Sequence, residues 1–420
     1  MNKAHINKTP NNKPMLHSGD QPGTRELVIL VAGLWALNAF AIDMMLPALG
    51  IISHDLGAQK NNDQQLMIVV YVVFNGIAQL VFGPLVDRLG RRTVMLWSMG
   101  AYVFFSLLSV LASGFNLMLV ARAMQGATTA GTRVAANAVI RDRFAGREMA
   151  KVMSLVITIF MAAPIIAPGI GQLILAIGPW RWVFVFLMVY GAILWLWVLF
   201  RLPETLEPEK KVMLKPALIV KNYLFFFKNR YSAGYTIAGA FVFGALFSFL
   251  SASEQIYAET FRVGDYFFLF FGMVALGLAL ATVTNSRLVN RYGMRRIGHI
   301  ALFGFIICGV VHYLVFLAGL ETLWVFQFFM MISFFTIGMI GPNFGAIAME
   351  PMGKIAGIAA AANGFAGTTV SGILGGLIAS FYDGTPTAII IGYVILGILA
   401  LITIAIVERG KLFEPAQREL

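Results

Sequence analysis

Five ionisable side chains lie inside long apolar stretches of this chain: Asp43, Arg122, Arg133, Glu254 and His312. Glu321 and Glu350 stand at the edges of such stretches. At mid-span in a lipid-crossing helix such a residue costs about 2.5–3.5 kcal/mol, so each is a candidate for handling protons or substrate. Asp43 stands about seven residues before the outer end of its stretch and Arg122 about seven after the outer start of its own. Both should therefore lie roughly 10 Å below one surface. A carboxyl group there holds a proton when burial dominates and releases it when an arginine closes in. Asp43 is read as the proton carrier and Arg122 as the group that tunes it; the bland alternative is a structural cap beside Pro47. Glu254 reads equally as a cavity residue, attracting cations or holding a second proton, and as a rim residue reaching headgroups. Arg133 either joins Arg122 in suiting an anionic substrate or snorkels out of the membrane. His312 titrates in a useful range but reads as a rim or packing residue. Tyr71, Phe74, Phe160, Tyr257 and Phe365 are read as cavity linings for planar apolar molecules.

A second constellation lies between two apolar stretches, in Gly83-Pro84-Leu85-Val86-Asp87-Arg88-Leu89-Gly90-Arg91-Arg92. Asp87 falls at the C-terminal end of a helix, where the dipole is negative. It needs a partner, either Arg91 or Arg92 or the positive N-terminus of another helix. Membrane topology alone explains the arginines but not Gly83, Asp87 and Gly90 at fixed spacing, so the segment is read as a gate latch. A degraded copy, with Asn290, Arg291 and Gly293, recurs 203 residues later. A loop repeated half a chain on points to two related halves, as in transporters. Asn290 carries no charge, so the two latches should differ in strength. Elsewhere, Pro164 and Pro168 remove backbone donors while Gly169 and Gly171 remove bulk. Together they predict a kinked helix with a flat face for packing between halves.

The elements that position these residues follow from composition. The chain is 59% hydrophobic and 12% charged, against about 25% charged in a soluble domain. Segments of about 20 apolar residues span a bilayer. Twelve are expected, near 27–50, 64–86, 93–113, 115–140, 151–177, 181–202, 231–258, 265–286, 297–319, 321–349, 354–381 and 386–407. Their length and lack of strict alternation indicate helices rather than a barrel. The net charge is +11, yet all but Lys60, Arg122, Arg133, Arg181 and Arg262 of the 31 lysines and arginines fall on segments sharing one face. That distribution excludes a nucleic-acid partner and places both termini in the cytoplasm. The expected fold is an all-α integral membrane protein, twelve transmembrane helices in two six-helix bundles with pseudo-two-fold symmetry. The N-terminal bundle is 26–202, the C-terminal bundle 231–408, and a cytoplasmic linker of 203–230 joins them. Within that linker Leu214 to Phe227 has the pattern of a surface amphipathic helix. Residues 1–25 lack a signal-peptide core and read as a disordered cytoplasmic tail, with a second tail at 409–420. Cys308 is the single cysteine, so no intramolecular disulfide or cysteine metal cluster is available.

With these residues in place, the chain resembles the major facilitator superfamily. Gly83 to Arg92 matches the family loop signature G-x-L-x-D-R-x-G-R-R. Arg122-Ala123-Met124-Gln125-Gly126 is similar to its R-x-x-Q-G signature. Pro164 to Gly171 resembles the antiporter signature of drug:proton exporters. Asp43-Met44-Met45-Leu46-Pro47-Ala48-Leu49 resembles the D-x-x-L-P-A-L signature of the bicyclomycin/chloramphenicol resistance (Bcr/CflA) subgroup, and Pro351-Met352-Gly353 with Ala356-Gly357 resembles the same subgroup. The resemblance covers residues 26–408. It implies proton-coupled export of small molecules by alternating access, with Asp87 latching against the start of span eleven near Gly353. Glu254 departs from the subgroup, which usually has proline after the residue matching Ser253.

No nucleotide loop, zinc motif or cysteine pair occurs, so an enzyme and an ATP-driven pump are both disfavoured. The expected energy source is the proton gradient, with no cofactor and no metal. The expected partners are a small-molecule substrate, protons and the lipid bilayer. The expected setting is the inner membrane of a bacterium, with the protein a monomer. The alternative within transporters is export of one endogenous metabolite, such as a siderophore or amino-acid derivative.

Overall fold

The computed structural model describes residues 22–210 and 215–413. Most of the expected tails, and residues 211–214 of the linker, lie outside the described residues. Helices follow one another with short connections and, among the described residues, no strands. The first half contains α1 (Thr24–Asp43), α2 (Leu49–Asp55), α3 (Leu66–Leu89), α4 (Arg91–Val110), α5 (Phe115–Arg143), α6 (Gly146–Phe160), α7 (Ala162–Ile177) and α8 (Arg181–Arg201). The linker folds as α9 (Pro216–Lys228). The second half contains α10 (Arg230–Gln255), α11 (Phe267–Tyr292), α12 (Met294–Leu317), α13 (Leu323–Met349), α14 (Ala356–Ala379) and α15 (Thr387–Val407). Helix α1 starts at Thr24, so the last residues of the expected tail already belong to the bundle.

The first and fifth passes are each broken in two, and prolines set the positions. A proline ring clashes with the carbonyl four residues back and offers no N–H to it. Pro47 opposes the carbonyl of Asp43, the last residue of α1; Pro164 opposes that of Phe160, the last residue of α6. Pro84 lies inside α3 without ending it, leaving the Leu80 carbonyl without its helical donor. The Tyr223 hydroxyl of α9 donates to that oxygen at 2.8 Å. Nearby, Phe226 of α9 is fully buried against Met352, Ala359 and Ala362 of the second half. The linker helix therefore bridges the halves, more tightly held than a helix lying on a membrane surface.

Among the described residues, ten passes are long and apolar enough to cross a membrane by length and composition. The remaining two are α5 and α14, of 29 and 24 residues. Arginines and polar side chains lower the hydropathy of α5, and glycines, threonines and Asn363 that of α14. Both pack against α3 in the interior, where neighbouring helices shield them from lipid. The packing pattern repeats between halves. The α3–α5 and α4–α8 pairs of the first half correspond to α11–α13 and α12–α15 of the second. Across the junction, α3 pairs with α14 and α7 with α11, the two-fold-related counterparts.

Glycines make the α3–α14 contact close. No room exists for a Cβ on Gly76 beside Thr369, on Gly364 beside Gln79, or on Gly376 beside Val69. The contact runs from Val69 near one end of the bundle to Asp87 at the other. The end carrying the arginines of 88–92 and 291–296 is called the basic end below.

Candidate functional site

Asp43 is the last residue of α1, at the break that Pro47 imposes. Its side chain is buried at 5% exposure, and no hydrogen bond or ion pair reaches its carboxylate among the described residues. Gly171 of α7 closes over the break, so tightly that a Cβ would collide with the Met44 carbonyl. The antiporter segment thus packs on the first pass of its own half through Gly171. Toward the other half it meets Phe268 through Gly169, and Ile165 lies beside Gly272.

Arg122 is completely buried. Its Nη2 donates to the Ala41 carbonyl at 2.8 Å, its Nη1 to Gln125 Oε1 at 2.8 Å and its Nε to the Met67 carbonyl at 3.3 Å. The guanidinium also lies 4.5 Å from the centre of the Tyr71 ring. Gln125 in turn donates to Ser106 Oγ at 2.8 Å. Arg122 therefore ties α1, α3 and α5 together through neutral acceptors. No ion pair joins it to Asp43; the two are linked through the backbone of α1, two residues apart at Ala41.

A chain of neutral polar groups leads from this site to the second half. The Tyr71 hydroxyl donates to Asn38 Oδ1 at 2.8 Å and lies 3.0 Å from Thr129 Oγ1. Asn75 Nδ2 donates to Thr129 Oγ1 and the Gly126 carbonyl, both at 3.0 Å. Gln79 Nε2 reaches Asn75 Oδ1 at 3.3 Å and Thr368 Oγ1, on α14, at 3.4 Å. Tyr71, Asn75 and Gln79 follow at i, i+4 and i+8, one face of α3. Gly83 and Asp87 continue the same i+4 row, which winds round α3 from the Asn38 side toward α14, and that spacing was visible in the sequence. Sequence reasoning singled out the charged groups and missed Asn38, Asn75 and Gln79.

A cavity of about 360 Å³ lies between the halves. Asn38, Tyr71, Asn75 and Arg133 line it from the first half, and Phe243, Phe247, Asn363 and Thr368 from the second. Of the sequence-proposed lining residues, Tyr71 is among these. Phe74 is instead 41% exposed, Phe160 packs edge-on against Trp35, and Phe365 is half-buried without lining this cavity. Tyr257 is buried in an aromatic cluster with Phe267, Phe270 and Phe326, its hydroxyl donating to Gln327 Oε1 at 2.7 Å. Arg133 reaches the cavity and does not snorkel away from it.

Glu254 lies at the seam between halves, at the end away from the basic loops. Gln64 Nε2 donates to its Oε2 at 3.3 Å, and its carboxylate packs beside Gly50. Gln65 donates to Gln255 Oε1 at 2.8 Å and the Ala379 carbonyl at 3.0 Å. Asn62 donates to the carbonyls of Ser380 and Tyr382. This end is stitched across the halves by side-chain amides. His312 is buried, 3.1 Å from Glu321 and stacked on Phe329. Cys308 is buried against the Phe329 carbonyl and Ser333.

At the basic end, Arg91 pairs with Asp87 at 3.1 Å and with Asp142 at 2.8 Å. The Glu204 carboxylate accepts from the Arg91 and Arg92 backbone N–H groups at 2.8 and 3.2 Å, capping α4. Arg92 Nη2 donates to the Leu199 carbonyl, while Arg88 is exposed. Gly90, at φ 102°, makes the turn and leaves space that Glu204 fills. The free side of Asp87 rests beside Gly357, in the first turn of α14, and Gly83 abuts Ala361. Asp87 thus meets both expected partners, bonding Arg91 and facing the helix start of the other half at Gly357, four residues beyond Gly353. In the second half Asn290 is exposed without a hydrogen bond among the described residues, and Arg291 lies over the Tyr292 ring. Arg295 takes over there, pairing with Glu408 at 3.1 Å and Glu350 at 3.9 Å. Among the described residues, every ion pair lies within one half.

Comparison with known proteins agrees with this architecture. The sequence profile of the Major Facilitator Superfamily matches residues 31–376. An uncharacterized MFS-type transporter, YdgK, of Bacillus subtilis is 32% identical, over 86% of this chain and 91% of its own. A bicyclomycin resistance protein homolog of Haemophilus influenzae is 29% identical, over 86% of this chain and 90% of its own. In fold, the crystal structure of the human organic anion transporter MFSD10 (TETRAN) matches with a TM-score of 0.64 at 16% identity, covering 92% of this chain and 100% of that one. With its broken first pass, repeated half-bundles, basic loop and profile match over most of its length, the chain belongs to the major facilitator superfamily.

Proposed function

We propose that this transporter exports drugs and other foreign small molecules in exchange for protons, by alternating access. It is a transporter and not an enzyme. The observation that carries the coupling is Asp43, a buried carboxyl group without a partner at a helix break, next in sequence to the cavity residue Ile42. A carboxyl group at a helix break beside the cavity can take up and give up a proton as movement at the break changes its access to water. Arg122 holds the backbone beside the break, so its role is to position Asp43. The name of the Haemophilus influenzae relative, a bicyclomycin resistance protein homolog, supports a drug as cargo. The basic end faces the cytoplasm of a bacterium, with both termini inside, by the distribution of lysine and arginine. The protein acts as a monomer, with the proton gradient as energy source and no cofactor.

The structure suits a state closed on the outside, where the amides of Asn62, Gln64, Gln65 and Gln255 join the halves. Everted membrane vesicles carrying the protein test the reading. Adding each of a panel of neutral, cationic and anionic drugs to respiring vesicles should, for the drugs exported, release protons from the lumen in proportion to drug taken up. No proton movement with any drug of a broad panel contradicts drug:proton exchange.

A further inference from the structure

We infer that the central cavity selects aromatic ligands that present a carboxylate or comparable oxygen acceptor to Arg133, and that it turns away organic cations. The inference deepens the export reading by naming the class of cargo, and rests on that cavity being the substrate site. Arg122 and Arg133 lie eleven residues apart on α5, about three turns, hence on nearly one face. Their environments are opposite. Arg122 has each guanidinium nitrogen bonded and is fully buried. Arg133 is exposed to the cavity, its guanidinium 5.3 Å from the centre of the Trp35 ring. Stacking uses the flat face of a guanidinium and leaves the donors on its edge free. Among the described residues no hydrogen bond or ion pair uses them.

The rest of the lining offers no counter-charge. Among the described residues no carboxylate lines the cavity. Asp43 is buried behind Ile42 in the sequence, and Glu254 is engaged with Gln64 at the far seam. The neutral groups are largely satisfied among themselves: Asn38, Tyr71 and Asn75 bond one another and Thr129. Asn363 accepts from Thr236 at 2.6 Å, which leaves its amide nitrogen as a second donor without an acceptor. The cavity therefore presents donors in excess of acceptors. Phe243 and Phe247 supply apolar walls for a ring, and Gly367, with open space where a Cβ would stand, leaves room beside it. An uncompensated cation at membrane depth is costly, and a planar oxyanion pairing with it in two parallel hydrogen bonds relieves that cost. A second cation in the same cavity would add repulsion in a low-dielectric setting.

The test measures equilibrium binding to the purified protein in lipid nanodiscs with three probes of one shape: 1-naphthoate, 1-naphthamide and 1-naphthylmethylammonium. Naphthoate should bind about tenfold or more tightly than the amide, and the ammonium should bind most weakly. Arg133→Gln should bring the acid and amide within about twofold of each other, whereas Arg133→Lys should keep the acid ahead. Equal binding of acid and amide by the unmodified protein, preference for the ammonium, survival of the order in Arg133→Gln, or binding of none of the three would each overturn the inference. Binding needs no gradient, so failure of proton-driven export leaves the order measurable. Naphthoate binding without any proton-linked transport would sink the export reading alone. Should Arg133→Gln fail to fold, the order in the unmodified protein and in Arg133→Lys still decides.

Discussion

At the scale of single residues, this chain separates two kinds of charge in its interior. Arg122 is structural, its guanidinium the hub of three helices. Lysine is a point donor on a flexible stem and cannot bridge the Ala41 and Met67 carbonyls and Gln125 with one planar fork. Arg122→Lys should therefore destabilise the protein by about 1–3 kcal/mol, read as a lower melting temperature in detergent; an unchanged melting point would show that the three bonds contribute little. Asp43 is the reverse, a carboxyl group with no bond to lose, so Asp43→Asn should leave the melting temperature within a few degrees of the parent. Gly90 offers a third case. Its φ of 102° lies where side chains are disfavoured, and a Cβ there would strike the Glu204 carboxylate that caps α4. Gly90→Ala should cost about 1 kcal/mol or more, and Glu204→Gln should cost less than Glu204→Ala because it keeps an acceptor. Denaturation of the three variants ranks them directly.

At the scale of elements, prolines and glycines explain more of the architecture than apolar periodicity does. The breaks after Asp43 and Phe160 follow from the prolines four residues beyond, and both prolines were readable in the sequence. What periodicity could not provide was the partner of each freed group. The Leu80 carbonyl opposite Pro84 is met by Tyr223, from a linker whose only visible feature was an amphipathic pattern. Tyr223→Phe combined with Phe226→Ala should loosen α9 from the bundle. Hydrogen exchange of residues 216–228 should accelerate by about tenfold or more while the amides of α3 and α14 stay protected. Equal protection with and without these side chains would mean that α9 is held by something else. Similar reasons limited the reading of the site. The i, i+4, i+8 polar face of α3 is a local pattern and was legible in principle. That Arg122 would spend its donors on carbonyls, and that Tyr257 would turn into an aromatic cluster, depends on helix rotation. A single chain of apolar helices does not encode rotation locally, because packing neighbours decide it. Twelve passes were expected from the sequence; among the described residues ten have the length and hydropathy of a membrane span, and α5 and α14 are less apolar. Those two are polar or small because they face other helices.

At the scale of the whole molecule, the two halves are joined unequally. At the end away from the basic loops, amides of Asn62, Gln64 and Gln65 cross to Glu254, Gln255, Ser380 and Tyr382. At the basic end the ion pairs stay within their own halves, and the junction rests on Asp87 beside Gly357, Gly83 beside Ala361, and the α9 bridge. Alternating access requires the amide seam to open. A cysteine pair placed at Asn62 and Ser380, whose side chain and carbonyl now touch, should form a disulfide under mild oxidation and halt transport, with recovery on reduction. Cys308 is buried and leaves the assay clean. Transport that continues with the pair fully cross-linked would show that this seam is not a gate.

Reconstituted liposomes holding either the parent protein or Asp43→Asn test whether Asp43 carries the proton that drives export. Two rates are compared for one drug, its accumulation driven by an imposed pH gradient and its exchange against unlabelled drug with no gradient. With Asp43 as the proton carrier, Asp43→Asn should abolish gradient-driven accumulation while drug–drug exchange continues at a comparable rate. Gradient-driven accumulation at the parent's rate in Asp43→Asn would contradict that role.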